Sequence, residues 1–228
     1  MVDRRQCLGL ALGAGAALGI GSRFTFAGIE GELLSRRIPS SGERIPDVGL
    51  GSSAAFRTVA QSENTAALRD VLRTMVEHGA TVFDTAPSYG ASEQVAGRLA
   101  RVMREESLDF IGVYYAVDNR DVEETILPLA IERGIAVMVY VPFGRTRLFQ
   151  RVGDRPLPAW AADFGAASWV QFFIKYVLGH PAVTVVTPAT SQARHMIDNL
   201  SGGIGRLPDA AIRKRMTQLI DALPAVSR

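Results

Sequence analysis

The sequence predicts an α/β fold of the β/α-barrel class, and three observations carry that expectation. The candidate strands are short and largely apolar, they alternate with helical stretches, and no G-x-G-x-x-G follows the first of them. Short apolar strands separated by helices imply a parallel sheet covered on its faces. Without the glycine fingerprint, a barrel is favoured over a dinucleotide-binding doubly wound sheet. Five strands can be counted.

The first strand covers residues 48–51, where Gly49 and Gly51 permit a close backbone approach. A polar, turn-rich lead-in, RRIPSSGER, precedes it. Residues 65–78 have helical periodicity, with Leu68, Val71, Leu72, Met75 and Val76 on one face and Gly79 as the stop. The second strand, 81–84, ends on Asp84, and a helix is expected over 92–103. Strands at 109–114 and 135–141 flank a helix at 122–132 that Gly134 ends. A strongly apolar helix at 169–178, a strand at 183–186 and helices at 192–200 and 209–223 complete the pattern.

With 228 residues, 47% of them hydrophobic and 21% charged, the chain has the composition of a globular protein with a sizeable core. A formal charge of +2 from scattered basic residues does not suggest nucleic-acid binding. The single cysteine, Cys7, excludes an internal disulfide and a cysteine-based metal cluster. No metal-ligand spacing, P-loop or nucleophile elbow is present.

Residues 1–27 are expected to be an export signal, leaving 28–228 as one domain. A basic head with Arg4 and Arg5 precedes a Gly- and Ala-rich apolar stretch at 7–21, which is shorter than a bilayer span. The paired arginines favour the twin-arginine route to the periplasm, with cleavage near Ala27. The alternative is an uncleaved membrane anchor. That route carries folded proteins, which suits an enzyme loaded with its cofactor beforehand.

Four blocks, in this order, resemble the aldo-keto reductases: RIPDVGLGSS, FDTAPSYGASE, the stretch from LDFIGVYY through VPFGRTRLF, and SWVQFFIKYVLGHPAVTVVTPATSQARHMIDNL. Together they cover most of the chain beyond the signal. The resemblance implies a (β/α)8 TIM barrel that reduces aldehydes and ketones with NADPH and without a metal. It implies Tyr89 as proton donor and Asp84 as the residue supporting a lysine. A phenol is a reluctant acid at neutral pH, and a nearby ammonium makes it a better one. Taken alone, Asp84 and Tyr89 also fit a helix-capping turn.

Cofactor positions carry over by the same resemblance. Tyr140 stands where an aromatic ring stacks on the nicotinamide, or is an ordinary core tyrosine. Pro142, Phe143, Gly144, Arg145 and Leu148 match the loop over the pyrophosphate. Pro188, Thr190 and Ser191 lead into a helix whose N-terminus suits a phosphate. Arg194 pairs with that phosphate or lies on a solvated face. Asp198 and Asn199 match the adenine contacts. The sequence departs from the family at Gly112, where a glutamine usually holds the carboxamide.

About two dozen residues separate FDTAPSYGASE from LDFIGVYY, room for roughly one helix and its flanks. Three β/α units of the family are therefore expected to be absent, leaving a barrel truncated to about five. The chain has two lysines, Lys175 and Lys214, both in expected helices, so the catalytic lysine has no counterpart. His78, His180 and His195 do not end strands, so the carbonyl-orienting histidine has none either. Five strands cannot satisfy the tilt and stagger of an eight-strand barrel, and segment exchange between two copies is one route to closure. The expected function is NADPH-dependent reduction of a small-molecule carbonyl, impaired by these losses. The alternatives are a catalytically silent remnant that binds a nucleotide or a partner, and an internal deletion that folds poorly.

Overall fold

The structure is a computed structural model that describes residues 31–51, 66–84, 103–104 and 108–225. The first strands are Ser35–Arg37 (β1) and Arg44–Pro46 (β2), which form an antiparallel hairpin. The lead-in RRIPSSGER, expected to be irregular, is thus a hairpin. Its turn residues Pro39 to Gly42 mark the reversal, and Gly42 takes the positive φ of 74° that the turn requires.

The five expected strands are all present, slightly trimmed. They are β3 (Leu50–Gly51), β4 (Phe83–Asp84), β5 (Phe110–Tyr114), β6 (Ala136–Tyr140) and β7 (Val183–Val186). Helices α1 (Ala66–Glu77), α2 (Ile126–Arg133), α3 (Arg147–Val152), α4 (Trp169–Leu178), α5 (Ala193–Ser201) and α6 (Ala210–Asp221) alternate with them. α3 was not foreseen, because its six residues are too few to show a period. The helix expected over 122–132 is split: a single 3₁₀ turn at Asp121–Glu123 precedes α2.

All pairings among these five strands are parallel. β5 pairs with β6, β6 with β7, and β3 with β4, while an isolated bridge from Val48 to Val186 joins the two groups. The order across the described strands is therefore β4-β3-β7-β6-β5. The first and last strands of the series are neighbours, as barrel closure requires and a doubly wound sheet does not. Gly51 makes this junction possible, and Gly49 the close approach on the β4 side. A Cβ on Gly49 would lie 2.5 Å from the Val82 carbonyl oxygen, and one on Gly51 would lie 2.3 Å from that of Thr187.

The hairpin lies across the N-terminal ends of these strands. The Arg36 guanidinium donates to the carbonyls of Leu178, His180 and Val183, all at the entry to β7. Helices cover the outer face of the sheet. α4 is the most apolar of them, with Phe172 to Leu178 buried, and Ser168 caps it by accepting a hydrogen bond from the Gln171 amide at 3.1 Å. α1 buries Val71 and Met75, but Leu72 and Val76 are exposed, so its expected apolar face is only half used. Among the described residues no helix is long and apolar enough to cross a membrane.

Two ionisable groups lie deep under the hairpin. Lys175, on α4, donates to the carbonyls of Ile204 and Arg206. Asp47 is fully buried, and neither carboxylate oxygen has a hydrogen-bond partner. Burial pushes the Asp47 carboxyl up to about 7, against the pull of Arg36 and Lys175. Burial likewise pushes the Lys175 ammonium down to about 8.

Candidate functional site

Parallel strands point their C-terminal ends the same way, so Asp84, Tyr114 and Tyr140, each the last residue of its strand, gather at one mouth. Asp84 is half-buried at the end of β4, as expected. Its charge reaches Tyr140: burial raises the Tyr140 phenol above its usual range, and the Asp84 carboxylate raises it further. Tyr89 and the rest of its loop lie outside the described residues.

Gly112, the departure from the family pattern, has a structural consequence. A Cβ there would lie 3.2 Å from Cε1 of the Tyr140 ring, so the aromatic edge rests against the β5 backbone. The register pairs Tyr114 with Tyr140, and side chains alternate along a strand. Gly112, Tyr114 and Tyr140 therefore share the inner face, while Ile111 and Val113 are buried on the opposite one.

The loop from β6 to α3 is tightly wound. Val141, Gly144 and Arg145 have φ of 58°, 57° and 63°, and Thr146 has 141°. Such values in non-glycine residues cost about 1–3 kcal/mol each and persist only where surrounding structure enforces them. Here the Gly144 amide donates to Val141 O at 3.0 Å, and the Thr146 and Leu148 amides both donate to Phe143 O at 3.3 Å. With these amides engaged inside the loop, an anion resting there would be held chiefly by side chains. Arg145 is exposed. Pro142, Gly144 and Leu148 are buried, and Phe143 packs against Phe149 with ring centroids 5.2 Å apart.

Arg147 was not foreseen, and it organises this side of the mouth. Its Nε donates to Asp118 Oδ2 at 2.8 Å and its Nη2 to the Tyr114 hydroxyl at 3.0 Å. Asp118 sits on a tight turn in which Ala116 and Asn119 exchange backbone bonds at 3.1 and 3.0 Å. Arg151 approaches the same Asp118 oxygen at 3.7 Å. Two guanidiniums thus share one carboxylate, and the cluster carries a net positive charge. The Asp118 bond holds Arg147 above its ordinary range. The signal for this cluster was weak: an arginine two residues after Arg145 and an aspartate in a turn are ordinary alone.

The expected adenine side is mixed. Pro188 and Thr190 are buried after β7, and the Thr190 hydroxyl accepts from the Gln192 amide at 3.2 Å. Ser191 is half-buried and Arg194 is exposed on α5. Asp198 is already engaged, accepting from the Ser168 hydroxyl and from Gln171 Nε2, both at 2.8 Å. Asn199 is 2% exposed, so both residues serve the packing of α5 on α4 in this state. Of the described histidines, the His78 ring bonds Thr74 O at 2.8 Å, the His180 ring accepts from the Ala182 amide at 3.2 Å, and His195 is exposed on α5. Lys175 is buried under the hairpin and Lys214 lies on α6, so neither lysine reaches Asp84.

Comparison with known proteins agrees with this geometry. Residues 47–112 match the Aldo/keto reductase family. The match covers less than half of the chain. No curated protein matches the sequence. An aldo-keto reductase from Bacillus halodurans in its holo form superposes with a TM-score of 0.59 at 14% identity, covering 86% of this chain and 98% of the other. One from Klebsiella pneumoniae in complex with NADPH gives 0.58 at 16%, covering 87% and 97%. At these identities the likeness is one of fold. The described strands have the aldo-keto reductase arrangement, and the family match spans the strand that ends on Asp84.

Proposed function

We propose that this chain is an NADPH-dependent oxidoreductase of the aldo-keto reductase type that reduces an aldehyde or ketone slowly. One observation carries the reading: Asp84 ends its strand close enough for its charge to act on the Tyr140 phenol, at a mouth that also carries a cationic loop, in a fold shared with an NADPH-bound reductase. The donor set suits the cofactor. The Tyr140 ring, whose edge rests against Gly112, offers a stacking surface, and Arg145 and Arg194 offer exposed cations for phosphates. When bound, the cofactor supplies hydride to the carbonyl carbon.

The residues of the chain hold the carbonyl and supply its proton. Tyr89 is the donor that the sequence motif names, and Asp84, five residues earlier in the chain, ends β4. Without a lysine to tune that phenol, proton transfer loses help worth roughly 10²–10⁴-fold. The position of the two lysines favours a second reading, a nucleotide-binding protein with little or no turnover. Titration with NADPH followed by an assay on a generic aldehyde separates the two. Binding with turnover that Tyr89→Phe abolishes supports the reductase, and binding without turnover supports the silent form.

Three further parts belong to the same proposal. Residues 1–27 direct twin-arginine export to the periplasm, with an uncleaved anchor as the alternative outcome of N-terminal sequencing. The barrel lacks three family units. A second copy supplies part of the closure, which a strictly monomeric sedimentation profile contradicts.

A further inference from the structure

We infer that the Tyr114 hydroxyl, held by Arg147, is the group that binds the carbonyl oxygen of the substrate. This rests on the reductase reading above and goes beyond it, because neither residue belongs to the motif.

The inference starts from the direction of one hydrogen bond. Arginine only donates, so in the 3.0 Å contact the Tyr114 oxygen is the acceptor and its own proton remains to be given. Among the described residues this is the only hydrogen bond the hydroxyl makes. Tyr114 ends β5 on the inner face, in register with Tyr140. Its hydroxyl therefore lies at the mouth, on the same face as Tyr140.

The arrangement has the properties of a carbonyl-binding donor. Asp118 fixes Arg147 at 2.8 Å, with its side chain 3% exposed, so the guanidinium is positioned before any ligand arrives. The net positive charge of Arg147, Arg151 and Asp118 favours the negative charge that grows on a carbonyl oxygen as its carbon takes hydride. A donor polarised by a fixed cation supplies the electrostatic help that neither lysine can give, since Lys175 is spent on the Ile204 and Arg206 carbonyls. The absence of a side chain at Gly112, two residues before Tyr114, lets the Tyr140 ring lie against the strand beside it.

The test uses the full chain with 4-nitrobenzaldehyde, comparing wild type with Tyr114→Phe and Arg147→Lys. In infrared spectra taken with NADP⁺, where no hydride is available, the carbonyl stretch of bound aldehyde shifts to lower wavenumber. Tyr114→Phe is expected to abolish that shift and Arg147→Lys to reduce it. In turnover, loss of one such donor lowers kcat by about 100-fold, with the NADPH Kd within about twofold of wild type. Thermal melts of both variants check that the fold survives. An infrared shift or turnover that persists in Tyr114→Phe overturns the inference while leaving the reductase reading intact. A wild type that binds NADPH and shows the Tyr114-dependent shift without turnover overturns the reductase reading alone. A wild type showing no shift overturns the inference.

Discussion

Arg147 and Asp118 form a 2.8 Å ion pair that ties the loop after β6 to the turn after β5. The pair joins two neighbouring β/α units at the mouth, and Arg151 adds a second contact at 3.7 Å. Removing one member of a mostly buried pair leaves the other uncompensated. Asp118→Asn is therefore expected to lower stability by about 2 kcal/mol, a fall in Tm of roughly 4–8 °C, read by circular dichroism. A melt unchanged by Asp118→Asn refutes the role of the pair.

The junction of first and last strands gives a sharper stability prediction. A Cβ on Gly51 would meet the Thr187 carbonyl oxygen at 2.3 Å, which is backbone and cannot step aside. Gly51→Ala should cost at least about 3 kcal/mol, an overpacking penalty at the upper end. Gly165 has φ of 71° with nothing near its would-be Cβ, so Gly165→Ala should cost only about 1 kcal/mol of backbone strain. Urea melts of the two variants check the ranking.

Asp47 and Lys175 predict how stability varies with pH. The folded Asp47 pKa, about 7, is above its ordinary 3.8, so the folded state holds a proton that the unfolded chain releases. Stability from this group is full below about pH 4 and is lost as pH rises to about 7. Lys175 is depressed to about 8 from 10.5, so the folded state holds fewer protons there and stability recovers between those values. The pair thus produces a stability minimum between about pH 7 and 8. Asp47→Asn should remove the falling limb and raise Tm at pH 7.5 by about 5 °C. A flat wild-type profile would count against this.

Gly112 predicts a cofactor effect. With only 3.2 Å between its would-be Cβ and the Tyr140 ring, Gly112→Leu must displace that ring. If the ring carries the nicotinamide, NADPH affinity should fall about tenfold, or 1.4 kcal/mol. Fluorescence titration measures it, and unchanged affinity would mean that Tyr140 is not the stacking surface.

Much of the fold was legible because local and global signals agreed. The β7 strand and the α4 helix have the expected bounds, since Val183 to Val186 is a β-branched run and Ser168 and Gly179 punctuate the helix. The hairpin was missed because Arg36, Arg37 and Arg44 make it look like a polar lead-in, and its strands gain order from carbonyls far along the chain. A residue's place in the fold was legible where it ends a strand, as at Asp84 and Tyr140. It was not legible where a role depends on partners distant in sequence. Asp198, expected at adenine, is bonded to Ser168, thirty residues earlier. Arg147 gains its importance from Asp118, twenty-nine residues earlier.

The most direct test of the central claim is NADPH oxidation by the full chain with an aromatic aldehyde, run alongside a fluorescence titration of NADPH. The account predicts saturable binding that weakens in Arg145→Ala, with slow, aldehyde-dependent oxidation. A chain that melts cooperatively yet binds no NADPH would contradict it.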